Sequence, residues 1–152
     1  MALKIYNTLT KKKEIFKPIK RDQVNFFVCG PTVYDFSHIG HAKTYVQFDI
    51  IVNYLRHIKN KVNYVQNITD IDDKIIRRAE ELKQDPLELS DKFYKAHLKD
   101  MESLGIISVS EYIKATDRIE EIVSQVKRLI GKGFAYETSD GVYFNLKKDK
   151  EY

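Results

Sequence analysis

The stretch that most constrains the fold is an apolar run, Val24–Val28, which stops at Cys29–Pro31. The run is rich in valine and phenylalanine, which favour β-strands. A short polar loop follows, and a long apolar segment over His38–His57 then predicts a mostly buried helix. In open α/β sheets, ligands collect at the carboxyl ends of strands and at helix N-termini. We therefore expect any chemistry of this chain to lie between Cys29 and His41.

A second strand is predicted at Val62–Val65, after the long helix. Strand, helix and strand make a βαβ unit, and the crossover of such units is right-handed almost without exception. The loops after Val28 and after Val65 are therefore expected at the same end of a parallel sheet. The nearly continuous apolar character of Val24–Val28 is typical of a strand that is covered on both faces.

Helices dominate the next part of the chain. Asp85 can cap a helix that begins at Pro86, with Glu88 where a capping box needs it and Gly105 at its end. One face of this helix is formed by Leu89, Phe93, Ala96, His97, Met101 and Leu104. The clearest change of organisation falls near Gln84–Pro86. At the N-terminus, short strands are predicted at 3–8 and 15–16, with a polar turn between them at 9–14. A helix is predicted from 72–73 to 82, and residues 106–112 are predicted as a connector. The last elements are a helix that is capped by Thr116 or Asp117 and has an apolar stripe to Ile130, and a hairpin around Asp140-Gly141.

Composition excludes several classes of protein. The 152 residues are 43% hydrophobic and 32% charged, which is typical of a globular domain. No apolar stretch reaches membrane-spanning length, and the N-terminus lacks an apolar signal core, so we expect no membrane association and a cytoplasmic location. The single cysteine excludes an internal disulfide. A net charge of +4 favours nucleic-acid contact only weakly.

Two histidines are the first candidates for chemistry. His38 and His41 are three residues apart, which places them on one face of a helix start, and Gly40 between them leaves room for a flat ligand. Amides at a helix N-terminus favour phosphate, and imidazoles there can stabilise charge on a transferring phosphoryl group. The same residues also fit two half-exposed histidines at a helix cap. The residues by themselves leave both interpretations open.

Cys29 and the cluster after the second strand are the other candidates. A lone cysteine is more often a small buried hydrophobe than a ligand, and none of the four histidines has zinc spacing to Cys29. The residues by themselves therefore argue against a metal. Thr69, followed by Asp70, Asp72 and Asp73, is consistent with a ligand-binding floor and equally with a helix N-cap.

The segment His38–His41 reads HIGH, the motif of class I aminoacyl-tRNA synthetases and related nucleotidyltransferases. Its flanks, VCGPTVYD at residues 28–35 and NYVQNITDIDDKI at residues 63–75, closely resemble the N-terminal part of cysteinyl-tRNA synthetases. The resemblance extends over nearly the whole chain from Leu3. It implies an α/β fold in which residues 1–84 form a Rossmann-like (HUP-type) nucleotide-binding half-fold with a parallel sheet. Residues 85–152 then begin a mainly helical insertion that ends in a hairpin.

The resemblance also implies a function, cysteine–tRNA ligation. ATP would activate cysteine to cysteinyl adenylate, and the cysteinyl group would pass to tRNA-Cys. The residues His38, Ile39, Gly40 and His41 would bind ATP, with His38 and His41 catalytic. Gly30 and Thr69 would line the cysteine pocket, with Thr44 and Asn67 as weaker candidates. Cys29 would bind Zn²⁺, with a Cys, a His and a Glu from positions further along the family's chain.

Two departures from the family pattern affect the prediction. The second signature of these enzymes, Lys-Met-Ser-Lys-Ser, has no counterpart here, and the stretch Ile113–Asp117 lacks the Glu and His of the family's Glu-Arg-Ala-Thr-His. Family members are considerably longer. We therefore expect an N-terminal part of the enzyme that is inactive alone. The alternatives are a stand-alone HIGH-motif nucleotide-binding protein, a cysteine ligase for an acceptor other than tRNA, and a non-catalytic fragment that binds a partner or RNA.

Overall fold

The computed structural model of the chain describes residues 3–150. Seven strands and four α-helices lie in these residues: β1 (Lys4–Asn7), β2 (Lys12–Ile15), β3 (Gln23–Val28), α1 (Ile39–His57), β4 (Lys61–Ile68), α2 (Asp73–Leu82), α3 (Pro86–Ser103), β5 (Glu111–Lys114), α4 (Ile119–Gly131), β6 (Ala135–Thr138) and β7 (Gly141–Phe144). Two short 3-10 helices, Thr116–Arg118 and Leu146–Lys148, complete the secondary structure.

The chain forms two compact units, one up to Ile113 and one from Lys114 onward. The predicted change of organisation near Gln84–Pro86 lies inside the first unit, because α3 packs against α2 there. These two units do not test whether residues 85–152 begin an insertion of the family's catalytic domain, which stays a prediction.

The predicted βαβ unit is confirmed. Strands β3 and β4 are parallel, with Gln23 opposite Lys61 and Val28 opposite Gln66, and α1 connects them. β4 continues three residues beyond the predicted Val65, to Ile68. The two loops that follow these strands therefore start at the same end of the sheet.

A third strand, β5, lies beside β4, where the sequence predicted only a connector. The backbone amide of Ser110 donates to the carbonyl of Tyr64 at 2.7 Å and leads the chain into this pairing. The four residues of β5 alternate poorly and have no turn signal before them, so only the pairing with β4 makes them a strand.

Coverage of β3 differs from the prediction. Val24 and Val28 are buried and Phe26 is half-buried, but Phe27 on the opposite face is 66% exposed. Within residues 3–150 only one face of β3 is covered, so the prediction of a strand covered on both faces is wrong for this chain. The apolar run thus includes a residue, Phe27, that lies outside the described core.

The core of the first unit has two clusters. One lies between α1 and the sheet and contains Val28, Tyr45, Val52, Tyr64, Met101 and Ile106. The other joins the end of β4 to α2 and α3 and contains Val33, Ile68, Ile75, Ala79, Leu89 and Phe93. The predicted apolar face of α3 thus contributes to both clusters, through Met101 to the first and through Leu89 and Phe93 to the second.

Polar contacts also hold α1 against the segment after α3. The Arg56 guanidinium donates to the carbonyl oxygen of Ser108 at 2.8 Å, and the Asp49 carboxylate accepts the Ser108 amide at 3.0 Å. Ser108 is fully buried, so these bonds satisfy backbone groups that water does not reach. These two bonds fix how far α1 is shifted along its axis relative to the segment around Ser108.

The predicted starts of α1, α2 and α3 are confirmed, and that of α4 is not. Asp85 accepts hydrogen bonds from the amides of Leu87 and Glu88, with Pro86 in the first turn, as expected. Asp72 caps α2 through the amide of Lys74. The predicted cap of the later helix is wrong, because α4 begins at Ile119 after a 3-10 turn and its N-cap, Arg118, makes no side-chain capping bond.

The N-terminal strands also differ from the prediction. β1 and β2 form an antiparallel hairpin in which Lys4 faces Ile15 and Asn7 faces Lys12. Residues 12–14, predicted as part of a polar turn, belong to β2. Backbone pairing across the hairpin outweighs the low strand propensity of Lys12, Lys13 and Glu14.

In the second unit, the predicted helix and hairpin are both present. β6 and β7 pair in register from Ala135–Phe144 to Thr138–Gly141. The apolar stripe of α4 is partly open to solvent, since Ile119, Ile122 and Val123 are 42–46% exposed. None of the helices in residues 3–150 has the length and apolar character needed to cross a membrane.

Candidate functional site

The ends of β3 and β4 are joined by backbone hydrogen bonds beyond the strands themselves. The Thr69 amide donates to the Pro31 carbonyl, and the Val33 amide donates to the Thr69 carbonyl, both at 3.1 Å. Thr32 and Thr69 form an isolated parallel bridge. The two predicted pocket segments, after β3 and after β4, therefore lie side by side.

Gly30 makes the closest approach between these segments. Its amide donates to the Asn67 side-chain oxygen at 3.0 Å, and a Cβ atom at Gly30 would lie 1.8 Å from the Asn67 backbone oxygen. No residue other than glycine fits at that distance. The Asn67 side-chain nitrogen then donates to the Thr69 hydroxyl at 3.3 Å. Gly30, Asn67 and Thr69, three of the predicted pocket residues, are thus brought together.

His38 is the N-cap of α1. Its ring Nδ1 accepts the Gly40 amide at 3.1 Å, and the ring Nδ1 of His41 accepts the His38 amide at 3.2 Å. The two bonds form a capping box in which histidines take the usual places of Ser or Thr and Glu or Gln. Two amide donors of the first turn are therefore already occupied by imidazoles.

The same bonds define the protonation state of the two rings. Because each Nδ1 accepts a hydrogen bond from the backbone, the neutral ring carries its proton on Nε2. The rings stack with centroids 3.9 Å apart, so two positive charges there would repel each other. Burial, and then the neighbouring His38, lower the pKa of His41. With both Nδ1 atoms used as acceptors, the pair offers two Nε2–H donors to a ligand.

Gly40 makes this arrangement possible. A Cβ atom at Gly40 would lie 2.8 Å from Cε1 and 2.9 Å from Nδ1 of the His38 ring. The glycine predicted to leave room for a flat ligand thus also leaves room for the capping imidazole. Both the structural cap and the exposed ring nitrogens exist in the same residues, so the two interpretations of the histidines do not exclude each other.

Cys29 is an exposed free thiol immediately after β3. The Tyr45 hydroxyl, from the second turn of α1, donates to the Cys29 carbonyl at 3.4 Å. No group of three or more His, Cys, Asp or Glu side chains in the described part of the chain could hold a metal ion. The thiol therefore lies near the candidate site, but the described residues do not supply the donors that zinc requires.

Other candidates have mainly local roles. The Thr44 hydroxyl donates to the Gly40 carbonyl at 2.9 Å, a bond within α1. Asp72 caps α2, which favours the helix-cap interpretation for that residue, whereas Asp70 is 4% exposed.

Helix α3 contacts the loop before α1, which the sequence did not predict. The Phe93 ring meets the Phe36 ring edge to face at 5.0 Å, and the His97 Nδ1 lies 3.1 Å from the Ser37 hydroxyl. The sequence places His97 only in the apolar face of α3. The available signal was a polar residue in that face, one turn after Phe93.

His97 is an unusual core residue. It is 2% exposed, and its ring Nε2 is buried without a hydrogen-bond partner. Burial, and then the neighbouring His41, lower the pKa of His97 to about 4, although Asp100 acts in the opposite direction. His97 is therefore neutral at pH 7.

Comparison with protein families gives one match that covers most of the chain. The family described as the tRNA synthetases class I (C) catalytic domain matches residues 15–152. The resemblance stated from the HIGH motif and its flanks is thereby confirmed.

Curated relatives match the chain from end to end. It is 55% identical to the cysteine–tRNA ligase of Pyrococcus horikoshii over 152 residues and 54% identical to that of Methanococcus maripaludis strain C6 over 150 residues. These matches cover 100% and 99% of this chain. The chain spans about a third of the length of both relatives, 32% in each case.

Solved structures confirm the predicted fold class. Mycobacterium tuberculosis methionyl-tRNA synthetase, in complex with methionyl-adenylate, superposes with a TM-score of 0.66 at 22% identity, over 74% of this chain and 23% of the synthetase. LeuRS of Agrobacterium radiobacter K84, in a ternary complex with tRNA and LeuAMS, gives 0.68 at 17% identity, over 79% of this chain and 16% of that protein.

Substitution of Gly30 tests the close approach of the two strand ends. Gly30→Ala is expected to lower the free energy of unfolding by about 3 kcal/mol, because the new methyl group meets backbone that cannot move independently. Gly131→Ala is the matched control, since a Cβ atom there has no neighbour within 4 Å. Urea unfolding of both variants is the measurement. Equal stability of the two would contradict the described packing.

The buried His97 predicts a loss of stability in acid. An unfolded histidine titrates near 6.5 and His97 near 4, so between these pH values the unfolded chain binds a proton that the folded chain does not. The contribution is complete above about pH 6.5 and falls by up to about 3 kcal/mol toward pH 4.

Urea unfolding at pH 7 and pH 4.5 measures this effect. His41 contributes with the same sign, because its pKa is also lowered. His97→Leu should reduce the pH dependence to the part that His41 contributes. An identical pH dependence in His97→Leu and the wild type would show that His97 is not held neutral.

Proposed function

The chain belongs to the family of class I (C) tRNA synthetase catalytic domains, and from this membership we propose that it carries the HIGH-motif part of a cysteine–tRNA ligase. The match to cysteine–tRNA ligases over the entire chain, at 55% identity for Pyrococcus horikoshii, is the observation that carries the proposal. Because the chain spans a third of that relative, the complete reaction is a property of the full-length enzyme.

The proposed reaction has two steps. The carboxylate of cysteine attacks the α-phosphorus of ATP, the bond to the pyrophosphate leaving group breaks, and cysteinyl adenylate forms. The cysteinyl group then passes from the adenylate to tRNA-Cys, and AMP leaves. Such transfers are accelerated by orientation of the reactants and by stabilisation of the charge that develops on the phosphoryl oxygens.

His38 and His41 supply this stabilisation as hydrogen-bond donors. Each Nδ1 accepts a backbone amide, which leaves the Nε2–H of each ring available for a phosphate oxygen. The amides of His38 and Gly40 are occupied by the rings, so the imidazoles take over part of the phosphate binding that helix amides perform elsewhere. Ile39 and Gly40 contribute through the backbone of the same turn.

Gly30 and Thr69 form the proposed floor of the cysteine pocket. The hydrogen bonds between Pro31, Val33 and Thr69 hold both segments rigidly, which favours a site built for one small substrate. Asn67 acts as a brace between Gly30 and Thr69. The Thr69 hydroxyl accepts from Asn67, and its proton is left to donate to a ligand.

Zinc selection of cysteine remains a proposal for the full-length enzyme. Cys29 has the right chemistry for a zinc ligand and lies one residue from Gly30, but residues 3–150 do not complete a tetrahedral donor set. We therefore derive no step of the reaction through the metal. In the proposal, Cys29 supplies one thiolate and the other ligands come from sequence outside this chain.

The first test separates transition-state stabilisation from binding at the two histidines. In the full-length enzyme, His38→Asn and His41→Asn keep an acceptor near the Nδ1 position and remove the Nε2–H donor. We expect the rate of cysteine-dependent ATP–pyrophosphate exchange to fall by about two to three orders of magnitude, with a smaller change in the KM for ATP. His57→Asn is the control on the same helix.

Two results would contradict the proposal. A raised KM for ATP with unchanged kcat would mean that the imidazoles bind the ground state and the transition state equally. ATP–pyrophosphate exchange that proceeds equally well without cysteine would favour a nucleotidyltransferase of another specificity.

The second test concerns Cys29. In the 152-residue chain, we expect no stoichiometric zinc by elemental analysis after mild chelation, because one thiolate is a poor site, and rapid alkylation of the exposed thiol. In the full-length enzyme, Cys29→Ser should lose zinc and the preference for cysteine over serine together. One tightly held zinc per 152-residue chain would show that the ligand assignment at Cys29 is wrong.

A further inference from the structure

We propose that His97 is a positioning residue of the His38–His41 site, an imidazole on α3 that holds the loop before α1 through Ser37 and the start of α1 through Tyr45. The inference rests on the nucleotide-binding role proposed for His38 and His41. It adds a residue sixty positions away in sequence that is outside the HIGH motif and its flanks.

The first contact is the hydrogen bond between the Ser37 hydroxyl and His97 Nδ1, at 3.1 Å. Ser37 immediately precedes His38, the N-cap of α1, so the position of Ser37 fixes the backbone from which the capping imidazole projects. A bond that joins the loop to a different helix restricts the loop in a way that the capping box by itself does not.

The second contact passes through Tyr45. The His97 ring meets the Tyr45 ring edge to face, with centroids 5.5 Å apart. The Tyr45 ring also lies nearly parallel to the His41 ring, with centroids 6.4 Å apart and an interplanar angle of 8°. A ring sequence His97–Tyr45–His41–His38 therefore runs from the core to the exposed imidazole.

The loop before α1 also contacts α3 through an aromatic pair. Phe36 packs on Phe93, which precedes His97 by one helical turn and lies on the same face. The same loop contacts α2, where Asp35 lies 3.9 Å from the Arg78 guanidinium and Lys74 lies over the Tyr34 ring. Exposed pairs of this kind contribute little. The side-chain bond of Ser37 itself is made to α3, through His97.

The surroundings of His97 keep its ring in one orientation. Tyr112 of β5 meets the His97 ring edge to face at 6.2 Å, so the ring has a neighbour from the sheet in addition to Ser37 and Tyr45. The titratable groups that face the ring are His41 and Tyr45 of α1, Tyr112 of β5 and Asp100 of α3 itself. Burial disfavours the imidazolium, so the hydrogen bond to Ser37 is made by a neutral ring at the pH of the cell.

A leucine at position 97 would pack in the same core without binding Ser37. Burying the ring Nε2 of His97 without a hydrogen-bond partner destabilises the folded state, so packing by itself does not explain a histidine at this position. A hydrogen bond to a loop residue next to the N-cap explains why a polar ring occupies this place in an apolar helix face.

The experiment uses the ring resonances of His38 and His41 as a readout that is independent of activity. In the 152-residue chain at pH 7, Ser37→Ala and His97→Leu should both move the ring nitrogen resonances of His38 and His41. His97→Asn should keep them close to wild type, because an amide near the Nδ1 position can still bond to Ser37. His57→Asn is the control for the loss of a histidine.

The kinetic arm uses the full-length enzyme. Ser37→Ala and His97→Leu should each lower kcat for cysteine-dependent pyrophosphate exchange between about tenfold and a hundredfold, with the KM for ATP changed less than kcat, since displacement of a catalytic group by about 1 Å costs that much. The double variant should lose no more than the worse single variant, because both remove one bond. His97→Asn should recover most of kcat.

The proposal is overturned if the His38 and His41 resonances stay at their wild-type positions in Ser37→Ala. It is also overturned if the two substitutions act additively on kcat, or if His97→Asn is as impaired as His97→Leu. If instead the proposed function is wrong, the wild-type full-length enzyme will show no cysteine-dependent exchange. The ring resonances of the 152-residue chain will still report whether His97 positions the two histidines through Ser37.

Discussion

The close contact between the ends of β3 and β4 is the constraint on which the rest of the site depends. A side chain at Gly30 would occupy the space of the Asn67 backbone oxygen, and the carbonyl and amide of Thr69 are both used by the loop after β3. This pairing extends the parallel sheet past the last residue of each strand. It brings Cys29, Gly30 and Thr69 to one place and directs the chain toward the start of α1. A single methyl group at Gly30 would separate the two segments.

The start of α1 shows how one set of atoms serves stability and chemistry together. The Nδ1 atoms of His38 and His41 cap the helix, and the Nε2 atoms remain for a ligand. Since the rings stack at 3.9 Å, they are best used as neutral donors. Ser, Thr or Asp would cap the helix equally well. The proposed reaction gives a reason for histidine at both positions, because a neutral imidazole accepts the backbone amide through Nδ1 and keeps Nε2–H as a donor for the ligand.

Local signals predicted much of the first unit. The Val24–Val28 run, the Cys29–Pro31 break and the apolar segment after His38 correctly indicated β3, the loop and α1, and Asp85-Pro86 correctly indicated the start of α3. Errors occurred where pairing with distant residues decides the structure. Residues 12–14 became a strand by pairing with β1, β5 formed by pairing with β4, and α4 started later than either predicted cap. Propensity does not detect such partners, since they lie elsewhere in the chain.

The sequence by itself determined the family, through the HIGH motif and its flanks, and the residue types that can take part in the chemistry. It also determined that glycine stands at positions 30 and 40, without showing what occupies the space beside them. Only the tertiary structure decided that Asn67 lies against Gly30, that the two imidazoles stack and cap α1, and that His97 reaches Ser37 across sixty residues. The physical reason is that helix caps and strand runs are encoded within a few residues, whereas the protonation state of an imidazole and the closeness of two backbones depend on neighbours that only folding brings together.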